Sequence, residues 1–490
     1  MPQKKSEKSK KPLQLLRGFK DILPEEQQYW DYVRTTVERL ARTFSFARIE
    51  LPLLEDANLF IRSVGKETDI VEKEMYVFED KSGDTVALRP EGTAGVVRAY
   101  IEHGMITRPQ PVKMYYVGPF FRHDRPQAGR YRQFNQFGFE VIGDAHPVID
   151  ALLMMMAYTI FNDVGVPVTL QVNSLGSPEC RRNYVKALQE YFKTRKNSLP
   201  EEDLKRLQTN PLRLLDSKEP DTQVLVEGAP QIVDFLDDES NKHFIKVLEH
   251  LDELDIPYVL NPRLVRGLDY YSRTAFEIWP VPYEEPPQPE APAPEPVKGH
   301  HKPEEEKPVE EKLEKLDKPS AQSALGGGGR YDYLVEQLGG QPTPAMGFAC
   351  GIERLILEMK LRHISPGSVV SPDIFLAQLG DEARKKALKV FNQLRAAGFQ
   401  VAESFSKNGL KSQMEQANRL GVKYTVIIGQ KELMDDTILI RDMESGIQET
   451  FDFEKMIPEL TKRLRKNGTN GAAPIMPPVP QTDLNQPKLL

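Results

Sequence analysis

The chain has 490 residues, 39% hydrophobic and 28% charged, with 65 lysines and arginines against 72 acidic residues and a net charge of −7. That length implies more than one domain at about 100 to 200 residues each. With a mean hydropathy of −0.48 and no apolar run near the roughly 20 residues of a membrane helix, a membrane-spanning protein is excluded. The two cysteines, Cys180 and Cys350, form at most one bridge and cannot build a structural zinc site, which excludes disulfide scaffolds and zinc modules.

In chain order, residues 1–12 read as a disordered, lysine-rich arm. The three leucines that follow, Leu13, Leu15 and Leu16, are too few for the apolar core of a signal peptide, so a cytoplasmic protein is expected. Residues 13–176, resumed at 258–365, alternate strand-like runs with helices. Between these halves, residues 177–257 are mostly helical, with Leu188, Tyr191 and Phe192, then Phe244, Val247, Leu248 and Leu251, at helical spacing. Residues 281–323 are rich in proline, glutamate and lysine and read as a disordered insertion. From Glu284 to Lys318 this stretch holds 11 carboxylates and six lysines, or −5 of the total charge. The overall acidity therefore says little against an anionic partner such as RNA. Residues 370–466 alternate strand and helix as a small α/β domain with a mainly parallel sheet, and residues 467–490 read as a disordered polar tail.

The loops that usually bind nucleotides are missing. Neither G-x-x-x-x-G-K-[ST] nor G-x-G-x-x-G after a strand occurs, so any ATP chemistry must use arginines. The richest region is the stretch from Gly118 to Phe134, where two strand-like runs flank a turn carrying Arg122, Arg125, Arg130 and Arg132. Such a hairpin presents guanidiniums suited to bidentate phosphate binding. In the strand that follows, period-2 alternation puts Gln136, Gly138 and Glu140 on one face and Asn135, Phe137 and Phe139 on the other. Gly138 there suggests close approach by a ligand, and Glu140, if buried, needs a cationic or hydrogen-bonding guest.

Three further segments stand out. Arg89-Pro90-Glu91-Gly92-Thr93 leads into a helix for which Thr93 is the expected N-cap, leaving Glu91 unexplained. The segment Leu264 to Tyr271 reads as a strand with a turn, and Gly326 to Gly329 as a flexible return from the proline-rich excursion. Gly347 to Leu357 passes from strand to helix with Arg354 in the first helical turn, where a bound anion would relieve its conflict with the helix dipole.

Together these residues resemble the histidyl-tRNA synthetase family, a branch of the class II aminoacyl-tRNA synthetases, over about Leu16 to Lys466. The three class II motifs are similar to Phe46 to Pro52, the hairpin Gly118 to Glu140, and Gly347 to Leu357. The two histidine-specific motifs are similar to Leu264 to Tyr271 and Gly328-Gly329-Arg330-Tyr331-Asp332. The resemblance implies an α+β fold: a class II antiparallel-sheet catalytic domain, a helical insertion at 177–257 near the acceptor stem, and a C-terminal α/β anticodon-binding domain at 370–466. It also implies a homodimer that uses ATP with Mg²⁺, takes L-histidine and charges histidine tRNA. By resemblance Glu91, Thr93 and Gln136 hold the substrate amino group, and Glu140 with Tyr271 reads the imidazole. Tyr270 and Tyr331 line the pocket, Arg122 and Arg266 meet the α-phosphate as catalytic groups, and Arg354 holds the ATP tail. No side-chain metal site is implied.

The chain departs from the family pattern at Asn135, where histidine is expected, and at the proline-rich insertion. The main rival is a non-catalytic, synthetase-like regulatory subunit of ATP phosphoribosyltransferase, which would lack the C-terminal domain and the catalytic arginines.

Overall fold

The structure is a computed structural model that describes residues 13–217, 219–283, 324–366, 372–405 and 409–466. The expectations for the arm, the tail and all but the first three residues of the proline-rich stretch lie outside the described residues. The chain divides into two compact units, one ending at Pro366 and the other beginning at Gly367.

The strands of the first unit are β1 (Ala47–Arg48), β2 (Leu54–Asp56), β3 (Val77–Glu79), β4 (Thr85–Leu88), β5 (Val112–Phe121), β6 (Gln133–Ile142), β7 (Val168–Ser174), β8 (Tyr258–Leu260), β9 (Ser272–Pro280), β10 (Gly326–Arg330) and β11 (Ala345–Gly351). Eight of them form one sheet in the order β1-β5-β6-β11-β10-β9-β7-β8, and β2-β4-β3 form a small second sheet. The six inner strands of the large sheet pair antiparallel throughout, while β1 and β8 add parallel edges.

The alternation read from β6 organises both faces of that sheet. Phe137, Phe139 and Val141 join Leu170 and Phe276 in one core. The helices Gln27–Thr43, Pro147–Asp163 and Ile352–Leu361 cover this core. Helix Gln27–Thr43 forms because Trp30, Val33, Val37, Leu40 and Ala41 fall on one stripe at helical spacing and bury together. Each fully buried side chain of this kind contributes about 1.5–3 kcal/mol. The opposite face buries Tyr116, Tyr270, Tyr271 and Tyr331 with Tyr184, Leu188 and Phe192 of helix Pro178–Lys193. The helical segment 177–257 therefore shares its core with the sheet.

Three local expectations are corrected. Leu264 to Tyr271 forms no strand; it is a loop, and β9 starts only at Ser272. Gly326 to Gly329 is no flexible return but lies within the buried inner strand β10, paired on both sides. Its glycines are required by the tight fit between neighbours: a Cβ on Gly328 would lie 2.1 Å from the Gly347 carbonyl oxygen. Gly138 makes room for a side chain of the protein, since a Cβ there would lie 2.3 Å from the Tyr116 ring.

The second unit has a five-stranded sheet of β12 (Ile374–Gln378), β13 (Val401–Glu403), β14 (Tyr424–Ile428), β15 (Thr437–Asp442) and β16 (Gln448–Asp452), in the order β13-β12-β14-β15-β16. It is mixed rather than mainly parallel: β13, β12 and β14 run parallel, while β15 and β16 form an antiparallel hairpin. Sequence pattern missed β16 because Gln448, Glu449 and Thr450 are all exposed and show no alternation.

Candidate active site

The site lies on the tyrosine-bearing face of the large sheet. Its first element is the start of helix Thr93–Glu102. Glu91, not Thr93, caps this helix: its carboxylate accepts hydrogen bonds from the backbone N–H of Thr93 at 2.6 Å and of Ala94 at 2.8 Å. A carboxylate at a helix N-terminus meets both unpaired N–H groups and the positive end of the dipole. Burial nevertheless outweighs these bonds and holds the Glu91 carboxyl above the usual carboxylate range. Because Glu91 does the capping, the Thr93 hydroxyl is released to donate to Glu140 Oε1 at 2.8 Å.

Glu140, on β6, is fully buried and its second oxygen accepts a 2.6 Å bond from the Tyr331 hydroxyl. Burial is the largest cause that pushes this carboxyl up to about 8, against the lowering effect of its two hydroxyl partners. Tyr331 packs against Tyr270 with ring centroids 5.8 Å apart, and Tyr270 against Tyr271 at 4.7 Å. The aromatic wall is thus continuous with the carboxyl.

The β5–β6 hairpin supplies the cations. It is pinned by buried Arg89, which donates to the carbonyl oxygens of Pro119 at 2.9 Å and Leu51 at 2.7 Å. Arg122 donates from Nε to the Pro90 carbonyl at 2.9 Å, which ties the hairpin to the Glu91 turn. Arg130 pairs with Asp124 at 3.0 Å. Arg354 stands in the first turn of helix Ile352–Leu361 and donates to the Ala324 carbonyl at 2.7 Å. Burial first, and then repulsion from Arg130 and Arg122, pushes its guanidinium down to about 10. An anion bound beside Arg354 would offset the repulsion it meets from Arg122 and Arg130.

Arg266 comes from the loop that precedes β9. It pairs with Glu277 on β9 at 2.6 Å, and Trp279 Nε1 donates to the other Glu277 oxygen at 3.2 Å. Its guanidinium lies 5.7 Å from the Tyr271 ring centre. Glu277 was not singled out from the sequence, although a lone carboxylate between Phe276 and Ile278 in an apolar strand was an available signal.

These groups surround one cavity of about 650 Å³. Eight of the ten residues expected from the sequence line it: Glu91, Thr93, Arg122, Gln136, Arg266, Tyr270, Tyr271 and Arg354. Glu140 and Tyr331 stand behind this wall, joined to it through Thr93. Arg130, one of the hairpin arginines singled out for phosphate binding, lines it as well, and so do Tyr116 and Glu277, which were not expected there. Asn135 is used: its backbone N–H donates to Glu353 at 2.8 Å and its Nδ2 at 3.0 Å, fixing the start of helix Ile352–Leu361 against β6.

Comparison with known proteins agrees with the geometry. Residues 18–286 match the family model described as histidyl-tRNA synthetase, and residues 373–463 match that of an anticodon binding domain. The chain is 44% identical to a histidine–tRNA ligase of Dehalococcoides mccartyi over 91% of this chain and 99% of that protein. It is 39% identical to one of Natranaerobius thermophilus, covering 91% and 98%. Among solved structures, the apo histidyl-tRNA synthetase of S. aureus superposes with a TM-score of 0.71 at 35% identity, covering 91% of this chain and 99% of that one. An arginine-walled cavity on an antiparallel sheet, a separate C-terminal unit and near-complete coverage of these relatives lead to one conclusion: the chain belongs to the histidyl-tRNA synthetase family.

Proposed function

We propose that the chain activates L-histidine with ATP and passes the histidyl group to the 3′ end of histidine tRNA, as a homodimer in the cytoplasm. Family membership makes it an aminoacyl-tRNA synthetase, an ATP-using ligase. The observation that carries the adenylation step is the convergence of Arg122, Arg130, Arg266 and Arg354 on a cavity that also holds Glu91, Thr93, Tyr270 and Tyr271.

In this reading a histidine carboxylate oxygen attacks the α-phosphorus of ATP in line, the bond to the bridging oxygen breaks, and pyrophosphate leaves. Negative charge builds on the phosphoryl oxygens. Guanidiniums already fixed by the fold stabilise that charge without reorganising. Arg122 and Arg266 would face the α-phosphate, and Arg354 would hold the rest of the triphosphate. The terminal ribose hydroxyl of the tRNA then takes the acyl group, and AMP leaves.

Among the described residues no group of three or more His, Cys, Asp and Glu is placed to hold a metal. Glu277 is engaged by Arg266, and Glu91 by the helix N-terminus. Magnesium would enter as part of the substrate, carried on the nucleotide phosphates.

The substrate ammonium would donate to Glu91, to the free lone pairs of the Thr93 hydroxyl and to Gln136. Tyr271 would meet the imidazole with Tyr270 beside the ring, while Glu140 and Tyr331, behind the cavity wall, would act on it through the Thr93 hydroxyl. A site that hydrogen-bonds both imidazole nitrogens leaves buried groups unpaired with any other side chain, and that penalty discriminates strongly. The retained arginines and the second unit favour this reading over the non-catalytic regulatory relative. Leu54 and Phe78, each 46% exposed, fall on one face of the β2-β4-β3 sheet by register and offer apolar surface for the homodimer. Sedimentation measures that state directly.

The test is exchange of labelled pyrophosphate into ATP with each standard amino acid and no tRNA. Exchange with histidine alone supports the reading; absence of exchange from folded protein contradicts it and favours the regulatory relative.

A further inference from the structure

The loop that carries Arg266, Tyr270 and Tyr271 has no regular structure of its own, so its shape depends on what grips it. At its start, the Asn173 side-chain amide donates to the Leu264 carbonyl at 2.9 Å. At its end, the backbone N–H of Asp269 donates to the Val64 carbonyl at 3.0 Å. Tyr270 and Tyr271 are buried in the core beyond it, and a further polar grip at that end comes from Arg181. Its guanidinium donates to the Asp269 carbonyl at 2.8 Å and to the Asp269 carboxylate at 3.2 Å.

Arg181 stands on helix Pro178–Lys193, at the start of the helical segment. That helix is anchored by buried Tyr184, Leu188 and Phe192 in the same core as Tyr270 and Tyr271. The pair itself is open to solvent, with the Arg181 and Asp269 side chains 25% and 36% exposed. Ion pairs so exposed add little to stability. A two-pronged grip that includes a main-chain carbonyl, three residues from the arginine facing the phosphates, fits a different role.

We propose that Arg181 is a positioning residue for Arg266: by holding Asp269 it fixes the loop, and so couples the helical segment to adenylate formation. This rests on the reading of Arg266 as the group that meets the α-phosphate. A small displacement of a group that acts in the transition state costs about 10²-fold in rate. Such a loss falls on kcat with KM little changed, because the contact is made only in the transition state.

The test uses the full chain in histidine-dependent pyrophosphate exchange. Arg181→Gln is expected to lower kcat by about 10- to 100-fold, with KM for histidine and ATP and the thermal midpoint close to those of the unaltered protein. Arg181→Lys, which keeps the charge but cannot grip both acceptors at once, is expected to fall between. Hydrogen exchange of the amides from Leu264 to Tyr271 is expected to quicken in Arg181→Gln while that of helix Pro178–Lys193 does not, a readout independent of activity.

An unchanged kcat with unchanged exchange protection overturns the proposal. So does a lowered thermal midpoint with unchanged kcat, which would make the pair merely structural. If the unaltered chain shows no histidine-dependent exchange, the adenylation reading fails and this proposal fails with it. An active parent with an equally active Arg181→Gln defeats the positioning role alone.

Discussion

The Thr93 hydroxyl donates to Glu140 across 2.8 Å, and this bond joins the rim of the cavity to a carboxyl that has no exposure to solvent. Thr93 is free to make it only because Glu91 has taken over the helix cap. A helix terminus, a strand and the β10 exit therefore meet through hydroxyl and carboxyl groups at one point.

Thr93→Val keeps the shape and removes the hydroxyl. It leaves Glu140 with one hydroxyl partner and takes an acceptor from the cavity wall. A buried polar group deprived of a partner costs about 1–3 kcal/mol, so kcat/KM for histidine is expected to fall by about 10- to 100-fold. The KM for ATP is expected to stay near its original value, as steady-state exchange kinetics would show.

Glu140 makes stability depend on pH. Its carboxyl is pushed from 4.5 up to about 8, so between those values the folded chain holds a proton that the unfolded chain has released. The stabilising contribution is complete below pH 4.5 and is lost as pH rises to about 8. At about 1.4 kcal/mol per pKa unit the loss amounts to several kcal/mol. Urea unfolding at pH 5.5 and pH 8 is expected to show a smaller decline for Glu140→Gln than for the parent. Equal declines would assign the pH dependence elsewhere.

Arg266→Ala is expected to lower exchange activity by about 10²–10³-fold. Its Glu277 partner keeps the Trp279 hydrogen bond, so circular dichroism is expected to report a folded protein. Activity near that of the parent would remove Arg266 from the chemistry.

Arg330 and Asp150 are both fully buried and 2.7 Å apart, and His243 holds the second Asp150 oxygen at 2.9 Å. Arg330→Met removes the cation from a buried pair and leaves Asp150 with His243 alone, at a cost of about 3–5 kcal/mol. Chemical denaturation is expected to show that loss in the first unit. Arg330 precedes Tyr331, so any folded fraction is also expected to bind histidine more weakly.

Where a residue's role follows from periodicity or local chemistry, the sequence was enough to place it. The alternation of β6 put Phe137 and Phe139 in the core and Glu140 on the opposite face, and the density of arginines marked the hairpin. Roles that depend on a distant partner were not legible in that way. Nothing near Glu91 says that it will cap the helix, because Thr93 is an equally good cap by composition. The four glycines of β10 lack the side chains that signal a strand, yet their neighbours leave no room for anything else. Glu277 needed the loop from Leu264 to Tyr271 folded back onto β9 before Arg266 could reach it. Arg181 is one of two adjacent arginines on a helix, and its grip on Asp269, 88 positions away, is invisible without coordinates.

The most direct measurement is acylation of a transcribed histidine tRNA with each labelled amino acid in the presence of ATP. Histidine alone is expected to become attached to the 3′ end, with AMP and pyrophosphate released in equal amounts. Attachment of a different amino acid, or none from folded protein that binds the tRNA, would contradict the assignment.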